Sequence, residues 1–459
     1  MIIFLLLVVN IVYNAFLPLH YDEAYYWLWS KHLALSYFDH PPMISWMIWF
    51  TSFLGDNEWI IRLVPVFCMT ALGFVIWSLA RRAFGEEVAD LAFLLYMLIP
   101  ITNVGFFLAT PDAPLNLFWA LTLYCSYRAF FPADRYEKTG NWLVLAGVFF
   151  GLALLSKYTA VLLFPALILA SIFNQNRKWY FSKEMFLAVI LATVVFSPVL
   201  YWNWQHEWAS FAFQFNHGIA QEKIFNQKYF LNFLGGQIGS LCPLVFLGLF
   251  YAIIRYLPTN LREDKLAFFF WPCIFTLCFF LYTSMFKHAA ANWAVPAYIS
   301  GVILLSYWII KKDWQKYKVL TLGFAFLMVM LLRFPMLFPF LPDKLVFIAK
   351  LDGAPQMFSS FAIDKNIPVL SDGYANASLA SYYIKGRPVT DVFNSRRQSM
   401  FDYWRTDEKP ALKVIYIGAG DEKENLEKIY KDVQRMPDMQ YTDKYTSKSF
   451  FVYQAQNPY

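Results

Sequence analysis

Residues 2–46 read IIFLLLVVNIVYNAFLPL and then HYDEAYYWLWSKHLALSYFDHPPMISW. The first part carries no charge and is close to the roughly 20 apolar residues that a helix needs to cross a hydrocarbon layer. The second part reverses this character. It gathers His20, Asp22, Glu23, Lys31, His32, Asp39 and His40 among tyrosines and tryptophans, rings that suit a membrane–water boundary. Asp22–Trp29 and Met43–Phe50 are predicted as short helices along that boundary, and Pro41-Pro42 breaks the chain between them. An uncharged span that runs directly into ionisable groups places them where charge is costly, and such groups tend to mark function.

The rest of the chain extends this reading. Only 15% of the 459 residues are charged, against roughly 25% in soluble proteins. Up to about residue 340 those charges come in short clusters between long apolar runs. Spans are predicted near 2–18, 59–79, 89–109, 113–131, 142–156, 158–173, 185–204, 231–254, 266–285, 294–310 and 319–338. The first has no basic n-region and no small-x-small cleavage site, so it reads as an uncleaved span and not as a signal peptide.

With the N-terminus in the cytoplasm, the inside loops hold fifteen Lys and Arg, among them Arg81, Arg82, Arg255, Arg262, Lys311 and Lys312. The short outside loops hold five: Lys31, Lys157, Lys223, Lys228 and Lys287. This asymmetry fixes the orientation and accounts for most of the net charge of +6, which therefore does not indicate nucleic-acid binding. Residues 1–340 are read as a transmembrane domain whose first outside loop spans about 19–58. Residues 341–459 are read as a small α/β domain outside the cytoplasm, with strand-like Ile367–Leu370, Lys413–Ile417 and Ser449–Gln454 and helix-like Ala375–Ile384 and Lys423–Arg435.

All five cysteines (Cys68, Cys125, Cys242, Cys273, Cys278) fall in or beside spans, which excludes a disulfide framework in the tail. The sequence has no Walker A loop, no dinucleotide fingerprint and no H-E-x-x-H. It also lacks the internal repeats that would favour a transporter. Gly418-Ala419-Gly420 reads as a turn.

The other outside loops are as polar as the first. Asp112 stands in Thr110-Pro111-Asp112-Ala113-Pro114 at a span end, where it reads either as a helix N-cap or as a functional carboxylate. Lys157 sits between two spans, against the charge trend, either snorkelling or holding a phosphate. The fourth loop carries His206, Glu207, His217, Glu222 and Lys223, and the fifth carries Lys287, His288, Asn292 and Trp293. Arg62 lies just inside the second span. Mixed acidic, histidine and lysine groups thus collect on one membrane face, whereas the other carries mainly Lys and Arg. Paired carboxylates supply a base or metal ligands, and cations neutralise a phosphate. Group transfer from a lipid phosphate needs that combination.

The order of a first span, Tyr21-Asp22-Glu23-Ala24, an aromatic helix, Tyr37-Phe38-Asp39-His40-Pro41-Pro42, Thr110-Pro111-Asp112-Ala113-Pro114 and Ser156-Lys157 resembles the GT-C glycosyltransferases that use polyprenyl-phosphate sugars. It is most similar to the family-39-like branch related to protein O-mannosyltransferases and the lipid A aminoarabinose transferase. The resemblance covers about 1–340 and is strongest over 19–65 and 105–165.

This resemblance implies an all-α polytopic membrane fold, GT-C-like, with about eleven transmembrane helices and a small C-terminal α/β extracytoplasmic domain. It implies transfer of a single sugar, with inversion, from an undecaprenyl-phosphate-linked donor to lipid A or core sugars, another envelope glycan or a protein. The reaction would take place at the periplasmic face of a bacterial inner membrane. Asp22, Glu23 and Asp112 are its catalytic candidates. Lys157, His40 and Arg62 are candidates for the donor phosphate, and Asp39, Tyr25, His288 and Asn292 for the substrates. His40 stands where the aminoarabinose transferase has Lys in Glu-Lys-Pro-Pro. A divalent metal is the one cofactor considered, with Asp22 and Asp39 as its ligands. The alternative class is a lipid-linked-sugar flippase without chemistry.

Overall fold

The computed structural model describes residues 2–134, 136–172, 175–218, 224–338, 340, 351, 353–395, 397–405, 409–442 and 447–459. Arg135, Glu222, Lys223 and residues 341–350 lie outside this set, as does the side chain of His217. In chain order the helices are α1 (Ile2–Asn14), α2 (Tyr21–Lys31), α3 (Met43–Thr51), α4 (Glu58–Ile61), α5 (Leu63–Phe84), α6 (Glu86–Leu98), α7 (Pro100–Val104) and α8 (Asp112–Phe130). There follow α9 (Thr139–Ser156), α10 (Leu163–Ser171), α11 (Lys183–Gln205), α12 (Ala209–Gly218), α13 (Gln227–Leu241), α14 (Pro243–Arg255) and α15 (Leu257–Arg262). The last apolar helices are α16 (Asp264–Ser284), α17 (Val295–Lys311) and α18 (Gln315–Arg333).

The tail contributes α19 (Ala354–Ser360), β1 (Val369–Ser371), α20 (Tyr374–Tyr383), β2 (Thr390–Val392), α21 (Met400–Trp404) and β3 (Lys413–Gly418). It ends with α22 (Lys423–Glu427), β4 (Tyr430–Arg435), β5 (Met439–Thr442) and β6 (Ser447–Pro458).

Helical segments occupy all eleven stretches expected to span. Among the described residues six are long and apolar enough to cross a membrane alone: 58–84, 139–156, 183–205, 264–284, 291–311 and 315–333. The others are shorter, less apolar or broken, and prolines explain two of the breaks. Ile99 is extended (φ −69°, ψ 131°) because Pro100 follows it, and a residue before proline is pushed out of the helical region. The stretch 231–254 was expected as one helix, but α13 and α14 meet at 104°. Cys242 between them has φ +74° and Pro243 opens the second helix, lacking the N–H that would continue the first.

The chain forms two compact units that interleave in sequence: 1–11, 35–44 and 62–331, and 12–34, 45–61 and 332–459. The first unit is a helical bundle whose core includes Trp119, Tyr127, Phe268 and Trp308. Its α9 and α11 approach closely at Gly147 and Gly151, where a Cβ on Gly147 would stand 2.6 Å from Ala188 Cα. Small residues four apart allow such backbone contact between apolar helices. At the far ends of α5 and α8, Glu137 accepts hydrogen bonds from Arg82 and from Arg128 Nε (2.6 Å).

The second unit is built on a mixed sheet of order β2-β1-β3-β6-β4, with β5 also paired to β6. β1 runs parallel to β2 and β3, whereas β6 runs antiparallel to β3, β4 and β5. The helix expected over 423–435 stops at Glu427, and Tyr430–Arg435 becomes β4. The long strand β6 supplies a pairing edge that outweighs local helix preference. Gly418-Ala419-Gly420 is a turn, tied by Ala419 N–H to Asp372 Oδ2 (2.7 Å) and by the Tyr416 hydroxyl to Gly420 O (2.9 Å).

The first-loop helix α2 belongs to this same unit and packs on α20. Trp27 meets Tyr382 edge-on at 4.9 Å, and Tyr383 Oη accepts from Leu19 N–H at 2.7 Å.

Candidate functional site

In the helical bundle three chain breaks bring three polar side chains together. Helix α9 ends at Ser156, and Lys157 takes an extended conformation (φ −159°, ψ 138°) that turns the chain into a short 3-10 segment. Pro111 precedes α8 and leaves Asp112 in its first turn. Asn292 lies in the 3-10 turn 291–294 before α17. Lys157 Nζ donates to Asp112 Oδ1 at 2.7 Å, and Asn292 Nδ2 donates to Asp112 Oδ2 at 2.9 Å.

The N-cap reading of Asp112 is therefore set aside. Pro111 is the cap residue, and the Asp112 carboxylate makes tertiary bonds. A carboxylate at a helix N-terminus and an ammonium at a helix C-terminus both suit the backbone dipoles. Lys157 does not snorkel outward. Its side chain is 9% exposed.

The remaining candidates of this unit differ in burial and in their contacts. Arg62 is fully buried. Asp39 is buried, and its backbone carbonyl accepts from Gln214 Nε2 at 2.5 Å. His40 is half-buried. His288 is exposed, with its ring edge-on to Tyr229 at 6.2 Å. Lys287 donates to Asn216 O.

In the second unit Asp22 stands in the first turn of α2. The Tyr374 hydroxyl donates to Asp22 Oδ1 at 3.0 Å, His20 Nδ1 lies 3.5 Å from Oδ2, and the Arg397 guanidinium covers the Tyr374 ring at 4.4 Å. Burial pushes the Asp22 carboxyl above the usual range, and the adjacent Glu23 charge adds to that. His20, the Tyr374 hydrogen bond and Arg397 pull in the opposite direction without cancelling it. The side chain still keeps 29% exposure, so a solute can reach it. Burial and the Asp22 charge raise the Tyr374 hydroxyl, which stays protonated and donates.

Glu23, by contrast, is fully buried and closes a capping box. Its Oε2 accepts from His20 N–H at 2.9 Å, which fixes where α2 begins. Tyr25 is also buried, and its hydroxyl accepts from Met400 N–H at 2.7 Å while its ring stacks on Phe401. Tyr26 and Trp29 are buried with it, so these rings form protein core and not a lipid-facing belt.

Sequence reasoning missed Tyr374 and Arg397. They lie more than 350 residues from Asp22, and no local pattern marks them. Among the described residues no three His, Cys, Asp or Glu side chains gather as metal ligands. Within its own unit Asp22 meets one imidazole and one phenol.

The bundle, the polar loops and the mixed-sheet tail define a multi-pass membrane protein of the GT-C glycosyltransferase fold. The chain aligns with the structure of ArnT from Cupriavidus metallidurans bound to undecaprenyl phosphate at a TM-score of 0.69, covering 98% of this chain and 96% of that one at 16% identity. It aligns with the archaeal oligosaccharyltransferase AglB from Archaeoglobus fulgidus, in complex with an inhibitory peptide and a dolichol-phosphate, at 0.53 and 10% identity, covering 97% and 74%. Residues 39–202 match the family described as dolichyl-phosphate-mannose-protein mannosyltransferase. By sequence the chain is similar to the lipid A galacturonosyltransferase RgtD of Rhizobium johnstonii, 31% identical over 300 residues. That match covers 64% of this chain and 61% of the relative's length.

Proposed function

We propose that the protein moves a single sugar from an undecaprenyl-phosphate-linked donor to an acceptor glycan at the periplasmic face of a bacterial inner membrane, with its tail on that same side. The observation that carries this reading is the buried Lys157, a cation paired with Asp112, whose other carboxylate oxygen is held by Asn292. Burial of this ammonium is offset by Asp112, and a lipid-linked phosphate reaching that depth offers the same cation a second anion. The named activities of RgtD and of the mannosyltransferase family matched over residues 39–202 support sugar transfer over a flippase without chemistry. RgtD also makes lipid A the first acceptor to test.

In the reaction Asp22 takes the proton of an acceptor hydroxyl. The alkoxide oxygen attacks the anomeric carbon from the face opposite the phosphate. The bond from that carbon to the phosphate oxygen breaks, the electron pair leaves on the phosphate and configuration inverts. Lys157, with Arg62 and His40 as further cationic candidates, offsets the charge on the departing phosphate. A raised carboxyl is a stronger base once ionised, which suits Asp22 to this duty. Glu23 and Tyr25 serve by fixing α2.

The test is mass spectrometry of lipid A with attached core from cells carrying wild-type protein, a deletion, or Asp22→Asn at equal level. A sugar-sized mass seen only with wild-type supports the reading. Identical profiles in all three remove lipopolysaccharide as acceptor, and the absence of accumulated prenyl-phosphate sugar in the deletion would then remove the transferase reading itself.

A further inference from the structure

The tail unit contains a second polar cleft that the transfer chemistry does not use. It has a volume of about 1290 Å³ and is lined by residues of α2, of β1, of β2 and its flanks, of α21, of β3 and of the chain leading into β4. This exceeds the several hundred Å³ of an ordinary small-ligand pocket. Its wall holds five cations, Lys31, Arg387, Arg405, Lys409 and Lys428, against two carboxylates, Asp56 and Asp391. Asp56 is shared by Lys31 (2.6 Å) and Arg387 (2.8 Å), and Asp391 pairs with Arg405 (2.8 Å). Lys409 and Lys428 have no carboxylate partner among the described residues, and Lys428 Nζ instead donates to the lining Asn425 at 2.8 Å.

Between these charges lie flat ring faces. Trp404 packs on His32 at 4.8 Å and edge-on to Phe401 at 5.4 Å, and all three line the cleft. Asn394 and Asn425 add amide donors and acceptors. Aromatic faces for the apolar side of sugar rings, amides for hydroxyls, and ammonium groups with no carboxylate partner among the described residues for anions form one recognition set.

We propose that this cleft binds an anionic oligosaccharide, one carrying phosphate or carboxylate groups. It would hold the acceptor glycan away from the reacting hydroxyl. Only the identity of the natural ligand rests on the transferase reading; the binding itself does not.

The experiment measures equilibrium binding to the full-length chain in detergent. The probes are an acyl-free glucosamine disaccharide bearing two phosphates, the same disaccharide without phosphate, and inorganic phosphate. The phosphorylated disaccharide should bind, weaken with added salt, and lose about tenfold in affinity in Lys409→Gln/Lys428→Gln, the loss expected for charge-assisted hydrogen bonds. Trp404→Ala should weaken it as well, whereas Asp22→Asn should bind as wild-type does.

Equal binding of the neutral disaccharide overturns the proposal. So does unchanged affinity in the double-lysine variant, or displacement by inorganic phosphate at the same concentration as the disaccharide, which marks a simple ion site. Binding that survives in a protein without transfer activity leaves the cleft standing while the transferase reading falls. Transfer without binding does the reverse.

Discussion

Lys157 Nζ lies 2.7 Å from Asp112 Oδ1 although 45 residues of chain separate them. The two side chains are 9% and 18% exposed, so neither recovers full hydration if the other is removed. Asp112→Asn is expected to destabilise the bundle by about 1–3 kcal/mol, the cost of leaving a charged partner under-solvated. The double variant Asp112→Asn/Lys157→Gln should lose less than the sum of the singles. Thermal unfolding in detergent measures both. In the transfer assay Lys157→Gln should lower kcat/KM about a hundredfold or more, as loss of a group that meets developing charge does.

Asp22 is predicted to be costly to stability and needed for activity. Its carboxyl is raised in the folded protein, so ionisation opposes folding. The stabilising contribution of the protonated form is present below the unfolded value and lost as pH rises through the folded one. Asp22→Asn should therefore melt at the same temperature or higher at neutral pH while transfer disappears. The kcat/KM of wild-type should rise with pH through an inflection above the usual carboxylate range.

Burial raises that inflection, and Tyr374 is one of the groups that pull it back. Its hydroxyl bonds Asp22 Oδ1 at 3.0 Å and favours the ionised form. Tyr374→Phe should move the kcat/KM inflection to higher pH and reduce activity at neutral pH, with little change in melting. A pH–rate profile of the two proteins reads this directly.

Asp56 ties the first loop to helix α2 and to Arg387 in the chain after α20. It accepts from Trp27 Nε1 (2.9 Å), Lys31 Nζ (2.6 Å) and Arg387 Nη1 (2.8 Å). Burial alone would raise its carboxyl, but these bonds outweigh it and hold the group below the usual range. Its contribution is present above the unfolded value and lost as pH falls through the folded one. Asp56→Asn should cost about 1–3 kcal/mol and expose the loop to protease at neutral pH.

Gly147 allows α9 and α11 to touch. A side chain there meets Ala188 backbone atoms, the Cα at 2.6 Å, and the backbone has no rotamer with which to yield. Gly147→Leu should cost several kcal/mol as an overpacked contact, seen as loss of folded protein in detergent. Gly235→Ala, with open space around its Cβ position, should be tolerated.

The sequence by itself determined that this chain crosses a membrane many times, where its apolar helices lie, and that its ionisable groups cluster in the loops between them. Hydrophobic runs and charge clusters are local properties, and lipid admits few solutions for an apolar backbone. It also marked Asp22, Asp112 and Lys157 as exceptional, because charge beside an apolar span is rare enough to read without coordinates.

Only the tertiary structure decided what each of those groups touches. Asp112 is a bridge and not a cap because Lys157 and Asn292 arrive from other helices. Glu23 closes a capping box while its neighbour Asp22 meets Tyr374. Tyr430–Arg435 pairs as a strand because β6 lies beside it. The Glu23 box is local, made with His20 three residues away, but the other outcomes depend on partners tens to hundreds of residues away, and a local pattern cannot encode the direction in which a side chain will find a distant one.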